Sequence, residues 1–105
     1  MLYIVYCRDD ANSSARIRAQ LIDEHVKYLG KNIDIILVGG AMLAEDGKTR
    51  LGSALILSVP SREEAVRFSE NEPFRKAGLY TSVEINRMRR GQWYPVNAPQ
   101  SVDGD

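Results

Sequence analysis

Histidine, cysteine and tryptophan each occur once in this chain of 105 residues, and neither charge is in excess, 14 basic side chains matching 14 acidic ones. Each scarcity removes a class of function. A lone cysteine, Cys7, cannot form an intrachain disulfide framework or a multi-cysteine metal site, and it suits a reducing compartment. Because it closes an apolar run, it reads as a small buried hydrophobe rather than a nucleophile. A net charge of zero provides no long-range field toward nucleic acid or an anionic membrane surface. The only basic cluster, Arg87, Met88, Arg89 and Arg90, has no interleaved aromatics and no helix to enter a groove. Nucleic acid and membrane are therefore not expected as partners. The opening residues are strand-like and lack a basic segment, a long apolar stretch and a cleavage site, so a soluble, cytoplasmic protein is expected.

Motifs for several chemistries are missing as well. There is no P-loop, GxGxxG, GxSxG, CxxC or HExxH, so phosphate cradling, dinucleotide binding, serine hydrolysis and zinc chemistry lack their signatures. One histidine with scattered carboxylates falls short of the usual ligand set of a catalytic metal. No metal or other cofactor is expected. What the composition leaves open is acid/base chemistry by a histidine and a carboxylate, which operates near neutral pH when the carboxylate fixes the tautomer of the ring and steadies its charged form.

A chain of this length suits one domain, and its pattern divides into recognisable elements. Leu2 to Cys7 reads as a strand that ends in the polar stretch Arg8 to Ser14, where Asn12, Ser13 or Ser14 can cap a following helix. The helix runs to about Gly30, and Ile33 to Val38 forms a second strand that Gly39 and Gly40 break. Asp46 and Gly47 predict a tight hairpin into a third strand, Leu51 to Val59. After Pro60, Ser61 with Glu63 and Glu64 reads as a capped helix start, and this helix ends near Asn71. Pro73 biases Glu72 away from helical dihedrals. A short helical turn, Phe74 to Ala77, stops at Gly78, and Leu79 to Asn86 is the last strand.

The order β-α-β-β-α-β predicts an α+β, ferredoxin-like sandwich: a four-stranded antiparallel sheet with both helices on one face. Its strands are apolar on both faces, Leu2, Ile4 and Tyr6 alternating with Tyr3, Val5 and Cys7. Sheets of this pattern are buried on both sides, so a second copy of the chain is expected to cover the bare face, giving a homodimer and a dimeric α+β barrel. Residues 1–92 make up the domain, and 93–105 a tail, partly flexible or packed on the partner subunit.

On a helical wheel at about 100° per residue, Ile17, Leu21, Ile22, Val26, Tyr28 and Leu29 span one apolar arc, and His25 and Arg18 fall inside it. Two ionisable groups aimed at a core read either as a core histidine bonded to a backbone carbonyl beside a snorkelling arginine, or as the polar wall of a cavity. For the cavity, the carboxylate that best complements His25 is Glu72, held by its proline at the end of the second helix. Asp23, Glu24 and Glu45 are rivals, although Glu24 points about 100° away from His25 around the helix. Tyr3, Tyr6, Phe74 and Tyr80 are candidates for an aromatic lining.

These residues resemble a known family. The opening LYIVYCRD, the histidine in DEHVKYL, the GG pair, the LGSALIL strand and above all NEPFRKAGLY look like the YciI-related proteins, small ferredoxin-like chains related in architecture to muconolactone isomerase. The resemblance extends over roughly Met1 to Ile85. It implies a dimeric barrel with a pocket around a catalytic histidine and acid, which fall here on His25 and Glu72. The family more often has aspartate in DPF or DPY where this chain has Glu72. It also implies cofactor-free removal of hydrogen chloride from a chlorinated hydroxyquinol in aromatic degradation; Arg18, placed in the pocket by the helical wheel and not by the resemblance, is expected to bind the phenolate or the departing anion. A small lyase or isomerase acting on an aromatic or quinol-derived molecule is thus expected. Its rivals are a non-catalytic binding protein that uses the same pocket and a cofactor-independent oxygenase on the same barrel.

Overall fold

In the computed structural model, which describes residues 1–104, four strands form one antiparallel sheet in the order β2-β3-β1-β4, with the helices on one side. Strand β1 (Leu2–Asp9) and β3 (Arg50–Ser58) are central, while β2 (Ile36–Leu43) and β4 (Tyr80–Met88) are the edges. Helices α1 (Ser14–Lys31), α2 (Arg62–Glu70) and the four-residue α3 (Pro73–Lys76) complete the sandwich. This is the ferredoxin-like arrangement that the order of elements predicts. No helix among the described residues is long and apolar enough to cross a membrane.

Local chemistry explains where most elements begin and end. The Ser61 side chain accepts a hydrogen bond from the Glu64 N–H, satisfying one of the free donors at the start of α2. Gly78, with φ of 79°, supplies the left-handed residue after α3, and the Leu79 N–H reaches back to the Phe74 carbonyl. At the start of α1 the outcome differs. Ser13 is the capping residue but makes no side-chain cap bond, because its hydroxyl and that of Ser14 donate instead to Asp10 and Asp9.

Three expectations need correction. Residues Ile33–Ile35 form a 3₁₀ turn rather than a strand, and β2 then runs straight through Gly39 and Gly40. Glycine is tolerated there because β2 is an edge strand and Leu55 on β3 occupies the space: a Cβ on Gly39 would lie 2.8 Å from its Cγ. The β2–β3 hairpin is wider than a two-residue turn. Asp46 accepts from the N–H groups of Lys48 and Thr49 and from the Thr49 hydroxyl, holding a loop of six residues between Leu43 and Arg50. Finally, Ile22 and Val26, at one edge of the apolar arc of α1, are exposed, while Ile17, Leu21, His25 and Tyr28 turn inward.

The side of the sheet facing the helices carries the core. Tyr3, Val5, Cys7, Leu57, Val59, Ala65 and Phe68 are buried together, and a second cluster joins Ile17, Phe74 and Leu79. The Tyr28 hydroxyl ties α1 to α2 by donating to the Phe68 carbonyl at 2.8 Å. On the opposite face Leu2, Ile4, Tyr6, Ala54 and Ile56 are half-buried, a pattern of apolar side chains without a covering layer.

The pairings that reach the edges contain three irregularities, two between β2 and β3 and one between β1 and β4, and each has the same effect. Between Met42↔Gly52 and Leu43↔Arg50, β3 takes two steps to one in β2, so Leu51 is an extra residue. Leu37 is extra in β2 between Ile36↔Leu57 and Val38↔Ile56, and Thr81 in β4 between Arg8↔Ser82 and Asp9↔Tyr80. Because side chains alternate with period two, one extra residue transfers everything beyond it to the other face. Ile36, Arg50 and Tyr80 are thereby turned to the helix side.

Candidate active site

Helix α1, the helix side of β2 and β3, and the α2–α3 junction enclose a cavity of about 250 Å³. That is room for a single substituted ring rather than a nucleotide. His25, Glu72, Arg18, Arg50 and Tyr80 contribute to its wall, together with apolar side chains such as Leu29 and Leu55.

Glu72 is fixed from both ends. It is the capping residue of α3, with φ and ψ of −69° and 129°, the extended geometry that the following proline favours. Its Oε2 accepts from the Arg75 N–H at 3.2 Å, and its Oε1 meets His25 Nδ1 at 2.5 Å. The residue is only 6% exposed, so its charge is offset by the cap and the imidazole rather than by water. Aspartate is the commoner capping side chain. The extra methylene of glutamate lets one oxygen cap α3 while the other reaches α1.

The imidazole of His25 stacks on Phe74, with ring centroids 4.1 Å apart and planes inclined by 16°. On the same ring lies Arg18, its Cζ 5.0 Å from the centroid. Phe74 is fully buried behind the wall and serves as the platform for both groups. With Nδ1 directed at the carboxylate, a neutral His25 keeps its proton there and presents the lone pair of Nε2, which has no protein partner among the described residues. The arrangement is that of a poised proton acceptor.

Arg18 is held by Asp9. Its Nε and Nη2 donate three hydrogen bonds of 3.0 to 3.1 Å to the two Asp9 oxygens, in a pair whose side chains are 12% and 2% exposed. Sequence reasoning treated Asp9 as part of a loop and missed this pairing. The signal was available, since an arginine aimed inward requires a counter-charge and Asp9 precedes its helix by a few residues. No buried side-chain nitrogen or oxygen among the described residues lacks a partner.

The four aromatic candidates separate. Tyr80 lines the cavity, its hydroxyl 3.4 Å from Ser53 Oγ, and Phe74 supports the wall from behind. Tyr3 is buried in the core outside the cavity, its hydroxyl directed at Met1 Sδ. Tyr6 lies on the opposite face of the sheet under the Arg8 guanidinium, because alternation along β1 sends it away from Val5 and Cys7. Of the rival carboxylates, Asp23, Glu24 and Glu45 are exposed. Two further lining groups stay uncharged at neutral pH: burial pushes the Cys7 thiol up to about 11, against the opposing effect of its bond to Ser53, and burial likewise raises the Tyr80 hydroxyl. Among the described residues no group of three or more histidine, cysteine, aspartate or glutamate side chains is placed to hold a metal.

The chain is similar to known proteins over most of its length. The family model of the YCII-related domain matches residues 1–89. Among solved structures, the chain is similar to 5-chloro-2-hydroxyhydroquinone dehydrochlorinase from Burkholderia phenoliruptrix, solved in complex with 2,5-dihydroxybenzoquinone. That similarity has a TM-score of 0.78 and 35% identity over 87% of this chain and 96% of that one. A protein from Agrobacterium tumefaciens shares the fold alone, with a TM-score of 0.53 and 13% identity over 90% of this chain and 98% of that one. No curated protein sequence matches. With the match running from the first strand to the end of the last, and through both members of the histidine–carboxylate pair, the chain belongs to the YCII-related domain family.

Proposed function

We propose that this protein is a lyase that removes hydrogen chloride from a small chlorinated hydroxyquinol by proton transfer alone. The observation that carries the reading is the His25–Glu72 pair set in the wall of a ring-sized cavity. The similarity to a dehydrochlorinase supports the choice of substrate class.

The reaction has an internal balance that suits these residues. A chlorinated hydroxyquinol yields a hydroxyquinone, a proton and chloride. Two hydroxyl protons leave the ring oxygens, one proton is delivered to the carbon that bears chlorine, and the C–Cl electron pair departs with the chloride. Oxidation of the ring to the quinone is matched by replacement of C–Cl with C–H, so no external oxidant enters. The work is therefore the removal and return of protons. His25 takes a hydroxyl proton at Nε2, Glu72 stabilises the imidazolium that results, and the same nitrogen returns the proton to the ring carbon. Arg18 offers its remaining Nη1 donor to the phenolate oxygen or the leaving anion. Tyr80, kept protonated, closes the opposite wall.

The test is chloride release and the accompanying ultraviolet-visible change when the purified protein meets 5-chloro-2-hydroxyhydroquinone without added metal or cofactor. One chloride per quinone formed, with no oxygen consumed, is the expected result. Absence of release above the spontaneous rate removes this substrate class. Oxygen uptake would point instead to an oxygenase.

The same reading includes a homodimer through the bare sheet face. Leu2, Ile4, Tyr6, Ala54 and Ile56 form an apolar surface of the kind that a second copy covers. Light scattering is expected to give twice the 11.8 kDa mass of the chain, and a monomer at micromolar concentration overturns this part of the proposal.

A further inference from the structure

The charge in the cavity wall is unevenly compensated. Arg18 is neutralised by Asp9 and His25 is matched with Glu72, whereas Arg50 belongs to none of the three ion pairs among the described residues. Its guanidinium has no hydrogen-bond partner there either. Alternation along β3 from Ser53 would send Arg50 to the opposite face of the sheet. The extra residue Leu51 returns it to the helix side, where it lines the cavity. Sequence reasoning had no means of finding it, because the flip depends on pairing with β2.

We infer that Arg50 is the specificity-determining cation of this site, selecting ring ligands that carry an ionised hydroxyl. The inference rests on the proposed function for the class of ring, and on the cavity for the rest. An ionised phenol entering beside the Glu72 carboxylate meets repulsion that the compensated Arg18 does not offset. Arg50, exposed to solvent where it lines the cavity, provides a positive charge that no carboxylate matches, on a side chain free to turn toward the ligand. Its fork of donors can bond a phenolate or quinonoid oxygen. Arg18, by contrast, has only the two N–H groups of Nη1 left to offer and a charge already matched by Asp9.

The probe is 2,5-dihydroxybenzoquinone, an anion at neutral pH, titrated into the wild-type protein, Arg50→Gln and Arg50→Lys at low and high salt. Arg50→Gln is expected to weaken binding about tenfold and to flatten its salt dependence, and lysine to restore part of both. Binding of uncharged benzene-1,4-diol should be the same in wild type and Arg50→Gln, which a general distortion of the cavity would not produce. Equal affinity and equal salt dependence for the anion in wild type and Arg50→Gln overturn the inference. So does failure of the wild type to bind the anion, a result that leaves the lyase reading standing wherever chloride release is observed.

Discussion

Replacing His25 with alanine is expected to lower the rate of chloride release by about 10²- to 10⁴-fold, the range contributed by a positioned acid/base group. Turnover falls because the hydroxyl proton then has only water to receive it. Glu72→Gln should fall into the same range by a different route. Glutamine keeps an oxygen for the Arg75 N–H, but it removes the negative charge that stabilises the imidazolium. The two losses should not add: in the double variant His25→Ala, Glu72→Gln the rate is expected near that of His25→Ala alone, since the carboxylate acts through the ring. Thermal melting accompanies each rate measurement, because His25 also stacks on Phe74. Where a folded His25→Ala protein keeps its turnover and loses only affinity for the ring, the site is a binding pocket and not a catalytic one.

The largest effect on stability is expected at Gly52, through packing rather than charge. A Cβ at this position would stand 1.9 Å from the Cys7 carbonyl oxygen and 2.8 Å from the Met42 terminal methyl group. The first contact is with backbone in the centre of the sheet, so no rotamer change relieves it. Gly52 has no positive φ, and its requirement is for space alone. Gly52→Ala is expected to cost about 3 kcal/mol or more, the upper part of the range for overpacking. For a domain of this size that lowers the melting temperature by at least roughly 12 °C. A melting temperature within a few degrees of wild type would show that β1 and β3 separate at low cost, contrary to the packing described.

Much of the fold was legible because local signals and the hydrophobic pattern agreed. Ser61, the Glu72-Pro73 step and Gly78 each mark a boundary through their own backbone chemistry, and those boundaries hold. The start of β2 was not legible. Ile33, Ile35 and Ile36 are β-branched whether or not they sit in a strand, and the 3₁₀ turn is set by the Asn32 carbonyl accepting from the Ile35 N–H. The passage of β2 through Gly39 and Gly40 depends on Leu55 filling the space, a contact between residues distant in sequence.

The site divides in the same manner. His25 and Arg18 could be read from one helical wheel, because their direction follows from helix geometry alone. Pro73 pointed to Glu72, although the sequence could not give the reach of its side chain across to α1. Tyr3 and Tyr6 illustrate the limit: alternation distinguishes the faces of β1, but not which part of a face a cavity occupies. Asp9 and Arg50 depend on tertiary pairing, the one with a helix and the other with a strand irregularity.

Those irregularities bear on how the cavity could change over generations. Ile36, Arg50 and Tyr80 reach the ligand side only through the odd residue in each strand, Leu37, Leu51 and Thr81. Deleting any one of the three would leave plain alternation across the gap, so Ile36, Arg50 or Tyr80 would keep its face and its ladder partner while the core of β1 and β3 stays in place. The wall thus tolerates single-codon loss at its bulges, whereas an insertion or deletion within the regular stretches of these strands exchanges a wall side chain for its neighbour in sequence and leaves the His25–Glu72 pair untouched.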